Sequence, residues 1–71
     1  MREIIRLKLG KKLRENRIRL GLTQEELAEL ANIDYKYLQK IEGKNPPAIK
    51  IDTIARLSKA LKISPKELLN F

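Results

Sequence analysis

The 71-residue chain forms one domain at most, near the lower limit for folding on apolar burial alone. It has neither cysteine nor histidine, which removes disulfides, thiolate and imidazole metal sites and a histidine general base. Sixteen Lys and Arg against nine Asp and Glu give a net charge of +7 and a pI near 10.0, which points to a polyanion partner, nucleic acid before an anionic membrane surface.

The opening MREIIRLKLGKK interleaves too many charges for a signal-peptide core, and no later run approaches the roughly 20 apolar residues of a membrane span. A cytoplasmic, nucleoid-associated location is expected. The first helix is predicted from about Leu7 to Leu20, with Leu9, Leu13 and Leu20 on one stripe, Ile18 beside it and Gly21 as the stop. Before it, Ile5, Leu7 and Leu9 alternate as a strand would; the reading adopted is a frayed first turn. Gly10 costs this helix about 1 kcal/mol relative to Ala.

The second helix opens on a capping box, T-Q-E-E, with Thr23 as N-cap and Glu26 at N3. Leu27, Leu30 and Ala31 mark its buried side, and Glu25 and Glu29 a solvated one. Asn32 ends it, since Asn tolerates the left-handed conformation of such a stop. The third helix runs from Tyr35 to Glu42, with Asp34 as N-cap and Gly43 following. Only Asn32-Ile33-Asp34 separates the two helices, the spacing of a helix-turn-helix unit, here residues 23–43.

KNPPAIK (44–50) is a loop, because consecutive prolines cannot continue a helix. The fourth helix begins near Ile51 or Asp52 and aligns Ile54, Leu57 and Leu61. The fifth is announced by S-P-K-E, a second capping box with Ser64 as N-cap and Pro65 at N1. The predicted fold class is all-α: five helices in a single domain over residues 1–71.

Across helices two and three, apolar residues stand at Leu27, Ala31, Ile33, Leu38 and Ile41, with the small Ala28 where two steeply crossing helices touch. If Leu38 and Ile41 face inward, Lys36, Gln39 and Lys40 project outward with Tyr35 at the margin. Lysine can donate to guanine O6 and N7, and glutamine can pair with adenine. Such side chains on a helix exterior are also ordinary solvated surface, and usually only three or four reach base edges.

In RIRLGLTQEELAELANIDYKYLQKIEGK (17–44) and IDTIARLSKALKIS (51–64) the chain resembles the Cro/phage-repressor type of helix-turn-helix, the xenobiotic-response-element (XRE) family of prokaryotic regulators. Asn32 stands where that family usually has glycine, and Pro46-Pro47-Ala48 lengthens the loop. The resemblance implies a lambda-repressor-like five-helix domain and sequence-specific binding of double-stranded DNA as a dimer on a palindromic operator, with helix 35–42 in the major groove. It implies base contacts from Asp34, Tyr35, Lys36, Gln39 and Lys40, with Asp34 also serving as N-cap. Phosphate contacts fall to Thr23, Gln24, Tyr37, Lys44 and Lys50, the first two at a helix N-terminus that favours an anion. It also implies an ion pair between Arg17 and Glu42 that ties helix one to the end of helix three as scaffold.

The remaining basic residues of the first helix supply a long-range field, with one or two meeting phosphate. Leu69 and Phe71 are either the last core residues or half of an isologous dimer contact. The competing reading is a protein-interaction or antitoxin-type module using the same helical face. An enzyme is disfavoured by the missing His and Cys, no cofactor or metal is expected, and a membrane-surface helix lacks a broad apolar face with anchoring aromatics.

Overall fold

The computed structural model describes residues 2–71, with the side chains of Arg2 and Glu3 outside the description. Five helices follow one another: α1 (Arg2–Arg19), α2 (Gln24–Ala31), α3 (Tyr35–Ile41), α4 (Ile51–Ala60) and α5 (Pro65–Leu68). There is no strand among the described residues. The core is built from Leu9, Leu13, Leu27, Ala28, Ala31, Leu38, Ile41, Ile54, Leu57, Leu61 and Leu68, so every helix contributes to it.

Helix α1 is longer than expected. The alternation of Ile5, Leu7 and Leu9 has no sheet to join, and the segment is helical from Arg2, with Leu9 buried while Ile5 and Leu7 stand half exposed. At the other end Ile18 and Leu20 do not enter the core; they are 56% and 36% exposed. Ile18 lies about 140° around the helix from the fully buried Leu13, and Leu20 falls beyond the last helical residue. The stop itself is as expected: Gly21 is left-handed (φ 71°), and the Leu22 N–H reaches back to the Arg17 carbonyl at 3.1 Å.

Both halves of the Thr23–Glu26 capping box are made, at 2.8 and 3.1 Å, and Asn32 closes α2 with φ 55°. Leu30 is the exception, 61% exposed, because it lies about 110° from the middle of the arc formed by Leu27, Ala28 and Ala31. Ala28 is buried where α2 meets the turn, and its carbonyl accepts the Ile33 N–H at 2.9 Å. Lys62 (φ 60°) ends α4 in the same left-handed way, with no glycine or asparagine to announce it. In α5 only half of the second box forms: Ser64 Oγ accepts from the Glu67 N–H at 3.1 Å, and the Glu67 carboxylate makes no return bond among the described residues.

Loop 44–50 is pinned rather than loose. Pro46 is buried, Ile49 packs against the core, and the Tyr37 hydroxyl donates to the Ala48 carbonyl at 3.4 Å. No helix among the described residues is long and apolar enough to cross a membrane.

Candidate nucleic-acid interface

Helix α3 has two sides with different duties. Leu38 and Ile41 are fully buried and fix its rotation about its own axis. Lys36, Gln39 and Lys40 are exposed on the other side, as expected, with Tyr35 exposed at the margin and Asp34 exposed just before the first turn. Gln39 Nε2 donates to the Tyr35 hydroxyl at 3.1 Å, one helical turn away. Asp34 occupies the N-cap position of α3, but its side chain makes no capping hydrogen bond, contrary to expectation. Its backbone has the extended conformation of an ordinary N-cap (φ −68°, ψ 133°), as at Thr23 and Ser64, but the carboxylate is left without a bond to the first turn and stays available to an outside donor.

The far end of α3 is held by a cluster of polar side chains. Arg17 forks onto Glu42, Nε to Oε2 and Nη2 to Oε1, each at 2.9 Å, and its third nitrogen donates to the Leu22 carbonyl at 2.8 Å. The Glu42 side chain is only 2% exposed and that of Arg17 12%, which places this planar two-bond pair out of bulk water. The Arg17–Glu42 tie between α1 and α3 is thus seen in the structure. Glu42 accepts a further bond at 3.1 Å from Gln24 Nε2, so the first residue of α2 joins the same cluster. Sequence reading missed that link, because no periodicity relates residues 24 and 42.

It also read Gly10 only as a cost. In the fold, a Cβ at Gly10 would collide with the backbone carbonyl oxygen of Ile41, so glycine is what lets α1 cross directly over the end of α3. A glycine in mid-helix is the signal that could have found this crossing.

The expected phosphate-contacting residues are more scattered. Thr23 is exposed, and its hydroxyl, while accepting from Glu26, keeps its own hydrogen to donate. The N–H groups of Gln24 and Glu25 in the first turn of α2 have no intrahelical partner. Lys44 and Lys50 stand exposed at opposite ends of the loop, Lys50 as N-cap of α4. Tyr37 is half-buried, and its hydroxyl hydrogen is already committed to Ala48.

Residues 13–68 match the family model for Helix-turn-helix (HTH_3). The chain belongs to the helix-turn-helix family. Its similarities within known proteins are to regulators. It is 37% identical over 68 residues to control protein C.BamHI of Bacillus amyloliquefaciens, covering 94% of this chain and 83% of that protein. Among solved structures it is similar to the restriction-modification controller protein C.AhdI of Aeromonas hydrophila, with a TM-score of 0.84 and 38% identity over 89% of this chain and 94% of that one. It is also similar to a hypothetical transcription factor, NHTF, from Neisseria, with a TM-score of 0.85 and 31% identity over 92% and 74% of the two chains. The XRE resemblance and the all-α, five-helix expectation therefore hold. The helix-turn-helix chain is a DNA-binding transcriptional regulator, and α3 is the helix that such a unit places in the major groove.

Proposed function

We propose that this helix-turn-helix protein is a controller of a restriction-modification system, acting as a homodimer on a two-fold symmetric operator. The name of its Aeromonas relative supports the controller role. The observation that carries the interface is the exposed row Asp34, Tyr35, Lys36, Gln39 and Lys40 on a helix whose opposite side is fully buried and whose end is clamped through Glu42.

In this reading those five side chains read base edges. Lys36 and Lys40 donate to guanine, Gln39 pairs with adenine, and the uncapped Asp34 accepts from cytosine N4. Thr23, the second amide hydrogen of Gln24, Lys44 and Lys50 hold phosphates, aided by the free N–H groups at the start of α2. Tyr37 joins them only by exchanging its bond to Ala48. Leu69 and Phe71, 40% and 48% exposed at the C-terminal end, supply an apolar contact for the second copy. Residues 1–71 act as one domain, and the protein works at the nucleoid.

The test is fluorescence anisotropy of a labelled duplex titrated with the protein at several salt concentrations, followed by selection of the preferred operator from random sequence. Affinity that falls linearly with log salt, together with a recovered palindrome, is the expected result. An absence of duplex binding at low salt would overturn the reading and return the α3 face to a protein partner.

A further inference from the structure

Helix α1 crosses the end of α3 at Gly10, and two clefts that share Leu7 lie along this part of α1. One is lined by Arg6, Leu7, Lys44 and the stretch 45–47; the other by Leu7, Gly10, Lys11, Arg14, Glu42 and Gly43. Each has a volume of about 280 Å³, many times the roughly 30 Å³ of one water in the liquid, so there is room for a hydrated phosphate. Leu7, half exposed, forms the ridge between them.

The charge of this surface is one-sided. Arg6, Lys11, Arg14 and Lys44 line the two clefts, and the only carboxylate among the described lining residues is Glu42. That carboxylate is buried and already engaged by Arg17 and Gln24. Lys11, Arg14 and Lys44 are exposed and make no side-chain hydrogen bond among the described residues. Arg6 and Lys11 precede the family-matched segment, which begins at residue 13, whereas Arg14 and Lys44 lie within it.

The location favours a nucleic-acid backbone. At about 1.5 Å per residue the seven residues of α3 span roughly 10 Å, close to the ~12 Å width of the major groove. With the start of α3 against the bases, its far end lies near the edge of the groove, where a phosphate strand runs. The geometry points to a second phosphate-binding surface there: Arg6, Lys11 and Arg14 straddle the Leu7 ridge beside Lys44 and grip the backbone of the strand bordering the groove, widening the footprint beyond α3. This inference rests on the DNA-binding reading above.

The test uses the full chain and the operator recovered by selection. Arg6→Gln, Lys11→Gln and Arg14→Gln are combined, and affinity is followed against salt on two duplexes, one extending well past the site and one trimmed at the last base pair that α3 reaches. On the long duplex the slope of log affinity against log salt should flatten by about 0.9 for each phosphate that is no longer neutralised, up to about 2.7 for three. The preference among operator variants should stay the same, and the deficit should shrink on the trimmed duplex. If the triple variant melts early, the three single variants carry the same comparison.

Equal slopes for variant and parent would overturn the inference. So would an equal deficit on both duplexes, which marks a long-range field instead of local contacts. If Lys36→Ala relaxes base preference while the triple variant binds as the parent does, base reading stands and the second surface falls. If the parent binds no duplex, the DNA reading fails first.

Discussion

The two helices of the unit, α2 and α3, are nearly equal in length, eight residues and seven, and begin in opposite ways. α2 starts on a reciprocal capping box in which Thr23 and Glu26 satisfy each other's backbone N–H groups. α3 starts on Asp34, whose carboxylate caps nothing. At their other ends both helices are held. α2 closes on the left-handed Asn32, with the Ile33 N–H on the Ala28 carbonyl, while α3 finishes at Glu42, whose side chain accepts three hydrogen bonds. The supporting helix is thus capped at both ends and the reading helix is held only where it finishes, which leaves the first turn of α3 free to meet a ligand.

Substitutions at these points separate the two roles, and the largest effect belongs to the clamp. Arg17→Ala leaves Glu42 charged and buried and should lower folding stability by about 3–5 kcal/mol, read as an early thermal melt together with weakened DNA binding. An unchanged melt would mean that α3 is anchored by Leu38 and Ile41 alone. Gly10→Ala gains helix propensity but drives a methyl into the Ile41 carbonyl. A net loss of about 1–3 kcal/mol is expected in denaturant titrations, and a gain would show that the crossing can spread without cost.

Lys36→Ala should leave the melt where it is and lose about 1–3 kcal/mol of binding at a single base position, measured on a panel of operator variants. A loss spread evenly over all sequences would reassign Lys36 to phosphate. The caps give the smallest effects and the sharpest contrast. Thr23→Ala should cost about 1 kcal/mol of stability, whereas Asp34→Ala should stay within about 0.5 kcal/mol, because there is no capping bond to lose. Equal destabilisation by the two would erase the distinction between the two helix starts.

The helices were legible in the sequence because their stops and starts are local chemistry: Gly21, Thr23 with Glu26, Asn32, and Ser64 with Pro65 all act as their residue types predict. The inward face of α3 was equally legible from the spacing of Leu38 and Ile41. What escaped was set by contacts between distant segments. Ile18 and Leu30 look like core residues by their apolar character, yet they lie about 140° and 110° around their helices from the buried residues, and Lys62 takes a left-handed backbone without a residue that favours it. The Arg17–Glu42 pair came from family resemblance and not from periodicity. The Gln24 bond to Glu42 was hidden for the same reason, since 18 residues of chain separate the partners.

The hydrogen bond from Gln39 to the Tyr35 hydroxyl has a consequence for how this regulator could be retargeted. Since the back of α3 is held by the buried Leu38 and Ile41, its exposed positions can be rewritten without disturbing the core, and three of the proposed base-reading residues, Asp34, Lys36 and Lys40, are independent of one another in side-chain hydrogen bonding. Positions 35 and 39 are not. A change at one releases the other side chain to a new rotamer, so their effects on operator choice should be non-additive, and a library that varies them one at a time would miss the combinations that work only as a pair.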